Sequence, residues 1–597
     1  MLTRMKNILS RELAPQLKDF IEEGDILRSL ESPKDPSLGD LALPCFSLAK
    51  SLKKNPAQIT QDLAKSLQIP QGFKKVVSVG GYLNFFFEDL FWAHVVIDEI
   101  QEKKAKVGEQ NLGDGQKVAI DYSSPNVAKP MSIGHLRSTV IGQSLVNIFK
   151  ALGFQTIGIN YLGDWGVQFG KLAWAHLNKD ELLSRVKAHQ SQIQFDPVRW
   201  AKLVEDIRLK PDTSFDYLYA LYVVFHATSE VDKDLESFGR DYFLRLEKRD
   251  NSDLTKKIEG AWQQFVQVSL REYNRVYSLL GTKHDLIRGE SFHEPDLQGV
   301  IQKLNHLKLL KESEGAQIVD LTQFDMPPCL ITKSDGATLY ATRDIAAARY
   351  RHDVLKADKL IYVVGAEQGL HFKQLFKVLE LMGYSWASQC THVPFGLYRF
   401  KDGKMSTRRG NVIFLEDVLD RAIELVRGIV KEKNPDLKNA EDVARAVGTG
   451  AVIFHDLMND RQKNIDFDWE RLLDFNGDTG PYVQYIHVRC CSVLSKWNKP
   501  IPKADLSLLK EKLERDLLRV LGRFHDSILV AYQQLKPNWV AQYLLDLAKV
   551  FSAFYYEHRI LEGDLELQKA RIVLVDSTRI VLRKGLELLG VQPPDAM

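Results

Sequence analysis

The spacing of apolar and polar positions divides this 597-residue chain into three parts. Before about residue 110, short helical patterns accompany an aromatic strand, GYLNFFF at 81–87. Residues 117–170 predict a strand, a helix and a second strand. From about residue 415 onward the apolar positions recur with the 3.6-residue period of amphipathic helices, as in VAQYLLDLAKVFSAFYYEHRIL at 540–561. We therefore expect an α/β centre between an α+β N-terminal part and an all-α C-terminal part.

The central β-α-β unit is the strongest of these patterns. Val118 and Ile120 mark its first strand, Gly153 ends its helix, and QTIGINYLGDWG supplies its second strand. The helix carries an apolar stripe formed by Leu136, Val140, Leu145, Phe149 and Leu152. Such a unit closes right-handed and belongs to an open parallel sheet, whose ligands bind at the carboxyl ends of the strands.

Residues 175–330 are helical in pattern and heavily charged, which indicates insertions that split the sheet domain. The sheet resumes with KLIYVVGAEQG at 359–369 and continues through the strand THVPFGLYRF. We predict three domains, at 1–110, 111–415 and 416–597.

Composition narrows the function classes. Hydrophobic residues make up 45% of the chain and charged residues 26%, and the net charge is only +2, so nucleic acid would have to bind through local patches. The five cysteines show no C-x-x-C spacing, so we expect no structural metal and a reducing, cytoplasmic location. We expect neither a secretion signal nor a membrane span, since no run approaches 18 apolar residues. The sequence shows no heptad seam that would indicate an oligomer.

Gly134 and His135 lie where the first strand of the unit hands over to its helix. Backbone N–H groups and the helix dipole converge at such a position, which suits phosphate. The imidazole can donate to a phosphate or ribose oxygen, and the glycine lets a nucleotide approach the backbone. Taken alone, a histidine at a helix start is more often a helix cap or a surface residue than a ligand.

A second basic segment, GKMSTRRGN at 403–411, changes that interpretation. Lys404 offers a point charge, and Arg408 and Arg409 offer guanidinium groups, all suited to a polyphosphate. By itself the segment is typical of a solvated hairpin turn. Together, the two segments predict one ATP site assembled from distant parts of the chain.

Longer segments give the chain a family resemblance that runs nearly end to end. SSPNVAKPMSIGHLRST resembles the HIGH box of the class I arginyl-tRNA synthetases of bacteria, and KMSTR resembles their KMSKS box. Further segments resemble this family in particular: YLGDWGVQFGKL, SDGATLYATRD and GDTGPYVQYIHVR. The resemblance implies a Rossmann-like catalytic domain with helical insertions, an N-terminal domain that binds the tRNA elbow, and a helical anticodon-binding bundle.

The resemblance also implies the reaction. Arginine attacks ATP, which enters with Mg²⁺, to give arginyl-adenylate and pyrophosphate. The 2′-hydroxyl of the terminal adenosine of tRNA(Arg) then accepts the arginyl group, and family members usually need bound tRNA before they activate arginine. No protein nucleophile is required, so catalysis would depend on positioning and charge stabilisation.

By motif match, two sets of residues would bind the small substrates. The ATP set is Ser132, Gly134, His135, Lys404, Met405, Ser406 and Arg408. The arginine set is Ser124, Asn126, Glu290, Tyr340, Asp344 and Gln368. A desolvated guanidinium needs carboxylate partners, which Glu290 and Asp344 would supply. The alternatives are a helix N-terminal acid for Asp344, and loop or cap hydrogen bonds for Asn126 and Gln368.

This chain departs from the family pattern at two positions. Ser132 replaces the first histidine of the HIGH box, and Thr407 replaces the second lysine of the KMSKS box. Lys129 lies just ahead of the HIGH box, where members without that lysine often have one. We expect His135, Lys404, Lys129 and Ser132 to form the catalytic set, with the two lysines covering the pyrophosphate.

For tRNA, the resemblance implies contacts at both ends of the chain. They are Tyr82 and Asn84 in the N-terminal strand, Tyr482 and Tyr485 in PYVQY, and the terminal Met597. Each tyrosine of PYVQY is equally typical of a helix core. A nucleotidyltransferase of the same superfamily and a catalytically impaired tRNA-binding paralogue are the competing functions.

Overall fold

The computed structural model describes residues 1–33, 35–334, 338–399, 413–475 and 477–597. Helices dominate, and the strands belong to four small sheets. Within these ranges, every helix is too short or too polar to cross a membrane. Short 3₁₀ segments connect the larger elements, at Pro36–Leu38, Lys104–Lys106, Glu290–Asp296, Thr322–Phe324, Ala366–Gln368, Ser385–Gln389 and Leu506–Leu508.

The N-terminal part packs helices on a three-stranded antiparallel sheet. Its helices are α1 (Leu2–Leu17), α2 (Glu23–Ser29), α3 (Phe46–Leu52), α4 (Pro56–Ser66) and α5 (Asp89–Lys103). Its strands are β1 (Leu41–Pro44), β2 (Phe73–Val79) and β3 (Tyr82–Phe87), in the order β1-β3-β2. The aromatic strand predicted at 81–87 is therefore confirmed as the middle strand, with Phe85 and Phe87 buried.

A five-stranded parallel sheet forms the centre. Its strands are β4 (Lys117–Asp121), β5 (Gln155–Asn160), β6 (Leu286–Ile287), β10 (Lys359–Gly365) and β11 (Cys390–Phe395). The order is β11-β10-β4-β5-β6, so the chain runs outward from β4 in both directions. A crevice opens at such a switch point, between the carboxyl ends of β4 and β10.

The predicted β-α-β unit is confirmed. Helix α6 (Ile133–Ala151) connects β4 to β5, and Gly153, with φ +83°, follows its end as predicted. Gly142 allows the helix to lie directly on the sheet, because a Cβ there would come within 2.2 Å of the Cβ of Tyr122. This close contact fixes the position of the helix N-terminus above β4.

The region predicted as helical insertions is helical up to residue 280. Its helices are α7 (Val167–Leu177), α8 (Lys179–Ala188), α9 (Pro197–Leu209), α10 (Phe215–Ser229), α11 (Asp234–Lys248) and α12 (Asp253–Leu280). After β6 and α13 (Leu297–His306), a small antiparallel sheet follows, made of β7 (Leu310–Ser313), β8 (Ala316–Val319) and β9 (Cys329–Thr332). Helix α14 (Tyr340–Arg349) continues into a π-helical turn at Tyr350–Val354, and α15 (Gly369–Leu381) follows β10.

The segment THVPFGLYRF, predicted as one strand, is two. Strand β11 ends at Phe395, and β12 (Tyr398–Arg399) pairs in parallel with β13 (Ile465–Asp466). The break lies at Gly396, where a Cβ would come within 2.6 Å of the carbonyl oxygen of Lys463. The C-terminal part is thus not purely helical, since it donates β13 to the segment that precedes residue 400.

The remaining helices form the C-terminal bundle. They are α16 (Leu415–Lys433), α17 (Ala440–Leu457), α18 (Trp469–Leu472), α19 (Gly480–Trp497), α20 (Lys512–Leu521), α21 (Phe524–Gln534), α22 (Asn538–Glu557) and α23 (Leu565–Leu588). The largest hydrophobic core cluster of the described residues is continuous across the three parts of the chain.

Candidate active site

The candidate site lies at the carboxyl end of the parallel sheet, where the segments after β4 and β10 meet. Ser124 and Asn126 follow β4, and Gln368 caps α15 after β10. The hydroxyl of Ser124 donates to Asp121 Oδ1 at 2.9 Å, while Asn126 and Gln368 are exposed. The structure thus brings the three predicted arginine-binding residues to one edge of the sheet.

Helix α12 holds the loop between β4 and α6 in an unusual conformation. Ser123, Ser124 and Ala128 all have positive φ, which is costly for residues with a side chain. The hydroxyl of Tyr273 lies 2.6 Å from the carbonyl oxygen of Asn126, and Ala128 N–H donates to Ser269 Oγ at 3.0 Å. The motif match did not identify this supporting helix.

His135 is a neutral donor whose tautomer is set by its neighbour. The backbone N–H of Ser132 lies 3.0 Å from His135 Nδ1, and because an N–H can only donate, Nδ1 accepts and the ring proton resides on Nε2. The hydroxyl of Ser132 lies 3.0 Å from the same nitrogen. Burial and, to a smaller extent, the nearby charge of Lys129 lower the pKa of His135 to about 4, against the opposing hydrogen bond from Ser132. Ser132 therefore positions the imidazole in the free protein.

Lys129 and Gly134 lie beside this histidine. Lys129 is half-buried, with Nζ 4.9 Å from the ring centre of Tyr222. A Cβ on Gly134 would meet only Ser132 Oγ, at 3.4 Å, so space inside the free protein does not require glycine there. Its predicted role, to let a nucleotide approach, stays a prediction.

Lys404, Met405, Ser406 and Arg408 lie outside the described residues. The segment directly after them is described, and it lies against the start of α6. Ile133 N–H donates to the carbonyl of Ile413 at 3.1 Å, and Leu415 N–H donates to that of Met131 at 2.8 Å. The described chain at 413–415 thus lies beside Ser132, at the start of α6.

Glu290 places a carboxyl at the opposite end of the site from His135. It begins the 3₁₀ turn after β6, and its backbone N–H donates to the carbonyl of Leu162 at 3.0 Å. Its Oε2 is buried and has no hydrogen-bond partner, and burial raises the pKa of this carboxyl to about 8. The hydroxyl of Tyr161 is also buried without a partner, and the charges of Asp344 and Glu290 both act on it. Native proteins usually give such atoms a partner, which can be a protein group, a water molecule or a ligand.

Asp344 faces the same space from α14. As predicted, Tyr340 and Asp344 share this helix, and the charges of both Glu290 and Asp344 act on the exposed Tyr340. His371 Nε2 lies 2.6 Å from Asp344 Oδ2. Burial lowers the pKa of His371, but the bond and charge of Asp344 outweigh it and raise the pKa above its ordinary value.

Several supporting residues escaped the motif match. Arg351, in the π-helical turn, pairs with Asp121 at 2.6 Å, and both side chains are buried. Arg343 pairs with Glu294 at 2.7 Å. The sequence did carry one indication of Arg351, because it follows Asp344 by seven residues, which is two helical turns. A π-helical turn is frequent at functional sites.

The predicted tRNA contacts differ in accessibility. Asn84 is buried in β3, whereas Tyr82 is half-buried and packs edge-on against the exposed Phe46. Tyr482 is half-buried against the core, and Tyr485 is exposed beside Arg489. Their roles stay predictions.

Met597 and a group of potential metal ligands lie in the C-terminal bundle. Met597 packs on the cluster between α16 and α17. In the described part of the chain, His487, Cys491 and Asp595 lie close enough together to hold a metal ion, and Arg583 donates to Asp595.

Comparison with known families finds three family models that match successive parts of the chain. The family described as "tRNA synthetases class I (R), catalytic domain" matches residues 96–196 and 198–469. "Arginyl tRNA synthetase N terminal domain" matches 4–87, and "DALR anticodon binding domain" matches 483–597.

Curated relatives match over nearly their whole length. An arginine–tRNA ligase of Clostridioides difficile is 42% identical over 593 residues, which cover 99% of each chain. One from Halothermothrix orenii is 43% identical over 586 residues, which cover 98% of each. Among solved structures, the arginyl-tRNA synthetase of Thermus thermophilus superposes with a TM-score of 0.79 at 25% identity, covering all of both chains.

Proposed function

The chain belongs to the class I arginyl-tRNA synthetases, and we propose that the crevice between β4 and β10 is the place where it activates arginine with ATP. The enzyme joins L-arginine to tRNA(Arg) through arginyl-adenylate. The observation that carries the site assignment is the buried, partnerless Oε2 of Glu290 beside Asp344, at the carboxyl end of a parallel sheet. A guanidinium supplies the donors that Glu290 Oε2 lacks, together with a positive charge that favours the ionised carboxyl.

In the proposed first step, the carboxylate of arginine attacks the α-phosphorus of ATP, which enters as its Mg²⁺ complex. The bond to the bridging oxygen breaks, and pyrophosphate leaves with the electron pair. His135 donates through Nε2–H to the phosphate, because its Nδ1 already accepts from Ser132. Lys129 and Lys404 offset the charge on the pyrophosphate. In the second step, the 2′-hydroxyl of tRNA attacks the arginyl carbonyl, and AMP leaves.

The remaining arginine ligands follow from position. Glu290 and Asp344 bind the guanidinium, with Tyr340 over it. Ser124, Asn126 and Gln368 bind the α-amino and carboxylate groups at the opposite wall of the crevice.

We also propose domain boundaries near 110 and 415 and a monomer. We propose tRNA contacts at Tyr82, Asn84, Tyr482, Tyr485 and Met597. A cytoplasmic location suits the five cysteines, which are all free thiols.

Arginine-dependent ATP–pyrophosphate exchange, measured with and without tRNA(Arg), tests the proposal. We expect exchange that depends on arginine and appears when tRNA is present. Retained tRNA binding with no exchange would identify an impaired paralogue. Adenylate chemistry that ignores arginine would identify a nucleotidyltransferase.

Lys129→Ala tests the assignment of the missing KMSKS lysine. We expect the exchange rate to fall at least about tenfold, because one of the charges on the pyrophosphate is lost. Lys150→Ala, an exposed lysine on α6, is the matched control and should leave the rate unchanged. Near-normal adenylate formation by Lys129→Ala would contradict the assignment.

A further inference from the structure

A buried ion pair joins the active-site helix to the C-terminal bundle. Arg137 lies on α6, two residues after His135, and Asp456 lies on α17. Arg137 Nε is 3.2 Å from Asp456 Oδ2, and each side chain is 1% exposed. Ion pairs this deeply buried are uncommon, because the loss of hydration offsets much of their attraction.

The same carboxylate holds the strand that precedes the Lys404 segment. The hydroxyl of Tyr398, in β12, donates to Asp456 Oδ2 at 2.8 Å. Arg137 Nη1 donates to the carbonyl of Lys463 at 2.8 Å, just before β13, the partner strand of β12. Three elements therefore meet at one pair of charges: the helix of His135, the strand leading to Lys404, and the bundle.

Neighbouring contacts tie the same junction to the bundle. Leu397 N–H donates to Asn464 Oδ1 at 2.8 Å. Arg461 donates through Nη1 to the carbonyl of Pro394, at 2.5 Å, and through Nε to that of Leu535, at 2.9 Å. Two of these bonds connect residues 394–398 to the C-terminal part of the chain, and the third ties Arg461 to the end of α21, so a shift of the bundle would shift the end of the sheet.

We infer that Arg137, Asp456 and Tyr398 form a positioning unit through which the C-terminal bundle sets where the chain leaves the sheet toward Lys404, relative to His135. The inference rests on the proposed function, since the geometry that it controls is that of the ATP site. None of the three side chains needs to touch substrate. A packed apolar junction could hold the elements together, but it would lack the directed bonds that fix one arrangement.

The decisive variant replaces both charges at once, as Arg137→Met/Asp456→Leu. A buried ion pair exchanged for apolar side chains of similar size is often neutral or stabilising, so this double variant separates position from stability. We expect an arginine KM within about twofold of wild type and a kcat for exchange at least about tenfold lower. Because the substitutions also leave the Tyr398 hydroxyl and the Lys463 carbonyl without partners, both constants are measured at a temperature where the variant is fully folded.

The matched control is the buried pair of Arg571 and Glu514, which lies wholly within the bundle at 2.8 Å. Arg571→Met/Glu514→Gln removes this pair and keeps an amide able to cap α20. We expect its kcat to equal that of wild type. A double variant at the junction that also keeps the wild-type kcat would overturn the inference, as would equal losses of kcat and melting temperature in both pairs.

Tyr398→Phe keeps the experiment decisive should the double variant fail to fold. It deletes one hydroxyl and should lower kcat about threefold at a temperature where the variant is fully folded; an unchanged kcat would overturn the inference. Wild-type protein must first show arginine-dependent exchange. If it does not, the proposed function fails and the positioning unit falls with it; if it does, the variants test the unit alone.

Discussion

The two ends of the candidate site each bury a titratable side chain, and burial acts on their charges in opposite senses. At one end it lowers the pKa of His135 to about 4 and removes a positive charge. At the other end it raises the pKa of Glu290 to about 8 and removes a negative charge. Both groups are therefore largely neutral near pH 7, although the ligands proposed for them carry opposite charges.

The ends differ in how complete they are before a ligand binds. The imidazole of His135 is already oriented by Ser132, so its Nε2–H is a fixed donor before any ligand binds. Glu290 Oε2 and the Tyr161 hydroxyl have no partner until a ligand provides one. The comparison suggests that the first end contributes mainly to rate and the second mainly to the selection of arginine.

Glu290→Gln should cause the largest loss of activity, a fall in kcat/KM for arginine. The substitution keeps the shape of the protonated acid but cannot carry the negative charge that a guanidinium requires. An unpaired buried charge costs about 3–5 kcal/mol, which corresponds to a fall in kcat/KM for arginine on the order of 10³-fold. Steady-state exchange at varied arginine measures it, with the exposed Glu312→Gln as control. A change confined to the KM for ATP would contradict the assignment of Glu290 to arginine binding.

His135→Asn should lower kcat, by less than Glu290→Gln lowers kcat/KM for arginine. Asparagine can still accept from the Ser132 N–H, but its amide lies nearer the backbone than Nε2. Loss of one oriented donor lowers kcat by about 10²-fold, with the arginine KM nearly unchanged. Single-turnover adenylate formation measures it, and the exposed His94→Asn is the control. Since the pKa of His135 lies near 4, wild-type kcat should show no step from this group between pH 6 and 8.

Arginine affinity should depend on pH through the ionisation of Glu290. Below pH 8 the carboxyl of Glu290 holds a proton that arginine must displace, so the apparent Kd should rise roughly tenfold per unit as the pH falls below 7 and level off above 8. A protonated His371 competes for Asp344 and acts in the same direction. Calorimetry in two buffers of different ionisation enthalpy should find about one proton released per arginine at pH 7.

Glu290→Gln separates the two groups in that experiment. The variant should keep only the part of the pH dependence that belongs to His371. Proton release that is unchanged in Glu290→Gln would show that Glu290 does not titrate with the ligand.

The parts of this molecule that follow from local sequence were predictable. The apolar positions of β4 and α6 and the glycine at 153 predict the β-α-β unit, because periodicity reports which face is buried. Motif match then placed Glu290 and Asp344, and the structure brings both around Tyr161. The position of Ser132 as the partner of His135 is also a local matter, three residues apart.

Long-range partners were not predictable. Arg351 meets Asp121 across 230 positions, and His371 meets Asp344 across 27. Strand β13 has two residues and no periodicity of its own; it exists because β12 lies beside it. Such features depend on which segments the fold brings together, and a single sequence carries no record of that.

Tyr161→Phe is the finest test of the comparison, with the smallest expected effect. The hydroxyl is buried and has no partner in the free protein, so its removal should not lower the melting temperature. If it donates to bound arginine or to the ionised Glu290, kcat/KM for arginine should fall about three- to tenfold, the range of one hydrogen bond. Tyr362→Phe removes another buried, partnerless hydroxyl, from β10, and should leave that ratio unchanged. If both variants lower kcat/KM for arginine equally, an unpaired buried hydroxyl does not identify the ligand site here. The selection of arginine would then depend on the two carboxylates alone.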